Sequence, residues 1–515
     1  MSTLSTTQIR FPTRLWDTVL DKETDFDGIL PEHCPDVIRL IRVDCTPYID
    51  SCDVSGGKAV MNGRVIYDLL YEADRKNKLR FCSFTQEFRH TADLPKNDLE
   101  DLTAECTATC SKITCRMISP RKPSLRARLE LHTVVTGVIA VNTLSVQPTE
   151  GVFFLKKTLQ YDTPAETVQQ EFHFDESLPL LQGEESIGEV VFGTVTVQPP
   201  QTTVTNGSIL LKTNAVAKVL YETEDGEQKG YRMTVKSMPL TLSMDTPASS
   251  EDKRCAASLE MSAHSITPEL DQYGESRLLK ACFTIGAKAV LCGTQETEVA
   301  DDLFSVDAIR IATRTETKIP QLAGSVDRSF TVDLKLAPED PMFTALYDTT
   351  VRAGKSKVSP GDGGLELTGV LNLSVLGESN EGVLHRDFSE EFVQFIPVEL
   401  PEEPWEVSVE VIPYEILPTL HADGSISARA ICNARILFYT QRHMTFLCDP
   451  VKETELPKED SYAVAYFFPA KNDTLWTVAK KYRLDPAKLK ADNPSAFDDI
   501  GRLTAGTKTV TVIKI

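Results

Sequence analysis

Three cysteines crowd one stretch of the chain, Cys106, Cys110 and Cys115, with Cys82 and His90 not far before them. Thiolates and an imidazole are the ligands that zinc takes. A zinc knuckle, however, needs paired Cys-x-x-Cys spacing, and these residues lack it. Thiols buried in strands, behaving as small apolar side chains, are the reading preferred here, with no metal site. Ser55-Gly56-Gly57-Lys58 matches a Ser-x-x-Lys nucleophile pattern, and Gly361-Asp362-Gly363-Gly364 has the glycines of a phosphate loop. The first lacks its partner motifs, and the second lacks the following Lys and helix, so both read as turns. The eight histidines (His33, His90, His132, His173, His264, His385, His421 and His443) are scattered. No G-x-S-x-G or H-E-x-x-H occurs, and nothing calls for a cofactor. A non-enzymatic chain is expected.

The elements that must position any functional residue come from a repeat. Val65-Ile66-Tyr67-Asp68-Leu69-Leu70-Tyr71-Glu72 returns as Ala215–Glu222 and again as Leu371–Glu378, at offsets of 150 and 156. Ile118-Ser119-Pro120, Ile266-Thr267-Pro268 and Ile416-Leu417-Pro418 keep nearly the same period. So do Ile29-Leu30-Pro31, Ser177-Leu178-Pro179 and Leu336-Ala337-Pro338. Val65, Tyr67 and Leu69 share one strand face, as do Ala215, Ala217, Val219 and Leu371, Leu373, Val375. Asp68, Lys218 and Ser374 face the other way, the alternation of a strand with one buried side. Hairpin turns are expected at Glu72-Ala73-Asp74, Glu224-Asp225-Gly226 and Ser379–Gly382. Further alternation follows each Pro mark, as in Leu125–Leu129 and Ile426–Ala430. A short helix is expected over Cys34–Ile41. The recurring Glu72, Glu222 and Glu378 read as solvated turn acids, and Tyr71 and Tyr221 as packing residues, with Gly377 in their place in the third copy.

Many short strands between turns predict a mainly β protein. A period near 150 is too long for a solenoid, so the expectation is three tandem sandwich or barrel-like domains over 8–150, 158–312 and 315–452. The chain of 515 residues is long enough for several cores. Its net charge of −21 opposes non-specific nucleic-acid binding and adsorption to an anionic membrane. No signal peptide is expected at the polar start, and no apolar run is long enough for a transmembrane helix. Twelve cysteines dispersed through the chain fit a reducing compartment.

The pattern changes after a polar linker at 453–461. Tyr462–Phe468 reads as a strand, and Asn472-Asp473-Thr474-Leu475-Trp476 opens a helix with Leu475, Val478, Ala479 and Tyr482 at helical spacing. Asp485-Pro486 starts a second helix, Asn493-Pro494 ends it, and Thr507–Ile515 alternates as a closing strand. From Tyr466 onward nine basic residues face five acidic ones, which suits an acidic protein partner or an anionic envelope precursor.

The run Asn472–Trp476 with Ala479, Tyr482, Leu489 and Asn493-Pro494 resembles LysM domains, with Asn472 in place of a glycine and no closing Ile-Pro. The resemblance implies a small βααβ domain over 462–515. Its ligand or partner surface would comprise Asn472, Asp473, Thr474 and Leu475 with Ile500, Gly501, Arg502 and Leu503. The upstream units resemble the SPOCS domain of spore-coat-associated proteins, through Leu30-Pro31-Glu32-His33-Cys34-Pro35-Asp36-Val37-Ile38, Arg42-Val43-Asp44 and the Gly57–Glu72 region. The order, SPOCS repeats then LysM, is similar to that of coat morphogenetic scaffolds of endospore-forming bacteria. It implies a mother-cell cytosolic protein at the forespore surface. Its expected partners are a coat-basement ATPase and other coat proteins, or peptidoglycan and its precursor, without nucleic acid or membrane insertion.

Overall fold

A computed structural model describes residues 4–73, 78–163, 166–224, 230–246, 253–400, 405–455, 464–470, 472–504 and 507–513. In the first unit, β1 (Thr6–Asp27), β2 (Arg39–Ser55), β3 (Lys58–Glu72), β4 (Leu79–Asp93), β5 (Glu100–Ser119) and β6 (Lys122–Leu144) make two antiparallel sheets, β1-β6-β5 and β2-β3-β4. The second unit repeats the plan with its outer strands divided. It comprises β7 (Val152–Asp162), β8 (Glu166–Pro179), β9 (Ile187–Val197), β10 (Gln201–Thr205), β11 (Ser208–Thr223), β12 (Tyr231–Asp245), β13 (Arg254–Leu270), β14 (Ser276–Cys292) and β15 (Thr294–Ser305). Here β14 lies between β8 and β13, β11 pairs with β9, β10 and β12, and β7 pairs with β15. In the third, β16 (Ala308–Leu336), β17 (Phe343–Gly361), β18 (Gly364–Ser379), β19 (Gly382–Pro397), β20 (Trp405–Leu420) and β21 (Ile426–Glu455) form β16-β21-β20 and β17-β18-β19. The protein is mainly β.

The recurring register mark is the end of the central strand of the second sheet, in β3, β11 and β18. Its alternation has the expected consequence: Val65, Tyr67, Leu69, Ala215, Ala217, Val219, Leu371, Leu373 and Val375 are all buried. Each set faces the first sheet of its own unit, and each unit has its own apolar cluster. Ser55 pairs with Lys58, Thr205 with Ser208 and Gly361 with Gly364, so the Ser-x-x-Lys and Gly-rich motifs are equivalent two-residue hairpin turns. Gly56 and Gly57 both have positive φ, 58° and 75°, as a primed hairpin turn requires.

The helix expected over Cys34–Ile41 does not form. Arg39–Ile41 already belongs to β2, and the segment before it is a loop without helix. Pro31 and Pro35 lack the N–H groups a helix would use and push the residues before them toward extended backbone. Arg121 instead holds this loop, donating to the carbonyls of Leu30, Pro31 and Cys34. The expected boundary at 312–315 falls inside β16, where the register shifts between Ala312 and Thr313. Asp74, Asp225 and Gly226 of the expected turns lie outside the described residues. So does 456–461 of the linker, whose Glu453–Glu455 continues β21.

The three units close on one another. Leu70, Leu220 and Leu376, at equivalent positions on the other face of the register strands, are all at or below 1% exposure and meet in one cluster with Leu79, Val191, Phe192 and Val383. A charge triad centred on the buried Asp348 draws on all three. The Asp348 carboxylate receives Arg42 of the first unit at 3.1 Å and Lys218 of the second at 3.3 Å. A second shared cluster joins the far ends of the outer strands, where Phe11, Tyr161 and Phe446 pack with Ile9, Val141, Leu159, Val299 and Ile319, Phe11 meeting Tyr161 edge-on. Thus each unit touches both others.

After the third unit come β22 (Val464–Phe467), α1 (Leu475–Tyr482), α2 (Pro486–Asp492) and β23 (Val510–Ile513), with β22 and β23 antiparallel. No helix among the described residues is long and apolar enough to cross a membrane.

Candidate partner-docking site

Two loops of the C-terminal module meet. Thr474 caps α1: its hydroxyl accepts from Thr477 N–H at 3.2 Å, while the Thr477 hydroxyl accepts from Thr474 N–H at 2.8 Å. This reciprocal cap satisfies amides that the first helical turn leaves free. Asp473 accepts from Ala470 N–H at 2.7 Å and closes the loop that carries exposed Asn472. Across from it, Asp498 accepts from the amides of Ile500 and Arg502. Leu475 N–H then donates to the Gly501 carbonyl at 2.8 Å, and Thr474 bridges Arg502. Gly501 has φ of 79°, and a Cβ there would lie 3.3 Å from that of Leu475. The structure therefore brings Asn472, Asp473, Thr474 and Leu475 against Ile500, Gly501, Arg502 and Leu503.

Within this set the side chains divide. Ile500 is 72% exposed and Arg502 is exposed, whereas Leu475 and Leu503 are partly buried against the module's core. An apolar side chain held out to water beside a cation can anchor a protein partner. Asn493 serves the fold: its side chain bonds Leu489 O, Thr511 O and Thr511 N–H, tying α2 to β23.

Sequence reasoning missed what holds the module in place. Trp476 Nε1 donates to Asp302 at 2.9 Å, Lys480 approaches the same carboxylate at 2.5 Å, and the Trp476 ring meets Phe304 edge-on at 4.9 Å. Phe304 stacks on Phe153, so β7 and β15 of the second unit extend the module's core. Burial disfavours the charge of Asp302, but the bonds from Lys480 and Trp476 outweigh it and hold the carboxyl below its ordinary value. Phe153 at the start of β7 and Phe304 at the end of β15 were the available signal.

The other candidate residues fall elsewhere. Cys106 and Cys110 face Cys52 and Cys45, Cys82 lies against Cys34, and burial pushes Cys115 up to about 11. His90 is not among them, and no cluster of metal-ligating side chains occurs among the described residues. Tyr71 and Tyr221 pack as expected, donating to the carbonyls of Pro35 and Glu185. Glu72 and Glu222 correct the expectation of solvated acids. Both are buried: Glu72 pairs with Arg39 at 2.6 Å, and Glu222 is 3.4 Å from Lys78 of the first unit. Glu378 is exposed and accepts from Tyr347. A cavity of about 10 Å³ lies where Phe11, Tyr161, Ile319 and Met444 meet. An open groove of about 460 Å³ runs beside Asn493–Ala496 and Thr507, Thr509 and Thr511.

Paired antiparallel sheets of three or four strands, recurring along one chain and closed about shared cores, define a β-rich multi-unit protein. Residues 36–118, which span β2 to β5 of the first unit, match the family described as SipL, SPOCS domain. The chain thus carries a SPOCS domain and is sporulation-related. Comparison with curated proteins and with solved structures returned no match.

Proposed function

We propose that this chain is a non-enzymatic scaffold of spore-coat assembly. In this reading its three SPOCS-like units hold coat proteins, and its LysM-type C-terminal module docks a coat-basement protein, the polymerising ATPase of the forespore surface. The observation that carries the reading is the paired-loop surface with Ile500 and Arg502 exposed, on a module fixed to the second unit through Asp302. A fixed module presents its loops in a set direction and loses less freedom on binding than a tethered one. Several units on one chain add avidity by raising effective concentration.

The test uses the full chain against the purified basement ATPase and, separately, against purified peptidoglycan. Ile500→Glu changes a side chain that is 72% exposed, so the fold should be retained. If Ile500 is an anchor, the dissociation constant for the ATPase rises by about thirtyfold or more, the effect of losing a contact worth roughly 2 kcal/mol. Retention on peptidoglycan alone reverses the reading in favour of a glycan-binding envelope protein. Undiminished ATPase binding by both Ile500→Glu and Arg502→Glu rules out the two-loop surface.

A further inference from the structure

The first unit has a seam. β2 and β5 are edge strands of its two sheets; β2 pairs only with β3 and β5 only with β6, so no backbone ladder joins them. Four cysteines line the place where they face each other. Cys45 and Cys52 lie on β2, Cys106 and Cys110 on β5, all four pack in the first unit's apolar core, and Cys45 neighbours Cys110 as Cys52 neighbours Cys106.

The strand geometry produces both contacts. Cys45 and Cys52 are seven residues apart, an odd spacing that would put them on opposite faces of a regular strand. A bulge between Ile49 and Ser51 restores them to one face, opposite Tyr67 and Met61 of β3. Both of those neighbours are fully buried, so the two cysteines point inward. On the other sheet, Thr133 of β6 lies opposite Cys106. Its hydroxyl contacts Met61 Sδ at 3.4 Å and Cys106 Sγ at 3.5 Å, which sets Cys106 against the rung that holds Cys52.

We propose that Cys52 and Cys106 are a disulfide-forming pair that staples the β2–β5 seam when the chain meets a low-molecular-weight disulfide such as oxidised glutathione, with Cys45 and Cys110 as a second staple. Cys52 and Cys106 are both partly exposed, whereas Cys45 is buried, so the first pair reacts first. The bond from Cys52 holds the Cys106 thiol down at about 7 against the effect of burial, with help from Thr133 and His132, which makes Cys106 the attacking thiolate. It displaces one thiolate from the small disulfide, which takes up a proton, and a mixed disulfide remains. Cys52 then gives its proton to solvent, attacks the Cys106 sulfur and releases the second small thiol. One small disulfide is reduced to two thiols as two protein thiols become one disulfide. In reducing surroundings the seam stays open to exchange.

Folded full-length protein, incubated with oxidised glutathione and then alkylated, is mapped by mass spectrometry without reduction. The expected product is a peptide joined through Cys52 and Cys106 and lighter by two hydrogens, with a higher thermal midpoint that a reductant returns to its starting value. Cys106→Ser removes this cross-link and its share of the shift together. Buried Cys432 serves as an internal control and stays alkylated only after unfolding. Glutathione adducts that never resolve into the cross-link, joining of Cys106 to any other cysteine, or thiols that stay reduced in the folded chain would each overturn the proposal.

Discussion

Single residues decide how the repeated plan was adapted. Where the first two units have Tyr71 and Tyr221, the third has Gly377, and a Cβ there would stand 2.2 Å from the backbone carbonyl of Ala345. The register of β17 on β18 slips twice beside it, between Phe343 and Ala345 and between Leu346 and Asp348. The strand bends into the space a tyrosine would take. Gly377→Ala should destabilise the chain by about 1–3 kcal/mol in denaturant titration, the usual cost of forcing atoms into a packed site. A neutral result would show that the strand can move back. His132 makes a different prediction. It lies 2.7 Å from Asp17, and that hydrogen bond raises the histidine above its ordinary 6.5 against the effect of burial. A raised value in the fold means the contribution is complete below about pH 6.5 and is lost as pH climbs through the folded midpoint. Stability measured against His132→Ala should therefore shrink as pH rises from about 6.5 into the alkaline range. Constant stability across that range would remove the pair from the account. The buried Glu72 and Glu222 could not be read from sequence. Their partners Arg39 and Lys78 are ordinary surface-type residues in sequence, and Lys78 belongs to a different unit from Glu222.

At the scale of elements, period-two alternation was legible wherever one strand face meets its own unit's core. The register strands, the segments after the Pro marks and the Ser379–Gly382 turn all follow from it. The opposite faces were not legible. Leu70, Leu220 and Leu376 interrupt the alternation, and only the closed arrangement explains why each is buried. Leu220→Ala should cost about 2–5 kcal/mol, the range for a leucine removed from a packed core. The same substitution at a water-facing position would cost almost nothing, and that outcome would refute the shared cluster. The two loops of the C-terminal module were legible because caps and helix breakers are local: Thr474, Asp485 and Asn493 each act within their own module. The contact of Trp476 with Asp302 spans 174 residues, and no periodicity announces it.

For the whole molecule, three apolar clusters are joined by contacts that no local sequence pattern announces. Phe11, Tyr161 and Phe446 bring together strands from all three units, as do the leucine cluster and the charge triad. Such joints turn flexible tandem units into one body with a fixed presentation, and the proposed scaffold role depends on that fixity. Asp348 is the most exacting of them, because it is buried with a cation from each of the other two units. Removing it takes the shared partner from Arg42, which keeps Asp44 at 2.8 Å, and from Lys218, which keeps the Thr349 carbonyl at 3.0 Å, a loss of about 1–3 kcal/mol. Calorimetric unfolding of the wild type beside Asp348→Ala is the direct measurement. If the three units are one body, their unfolding is cooperative, and the substitution lowers the transition of all three together. Three resolved transitions, with only one of them displaced, would contradict it.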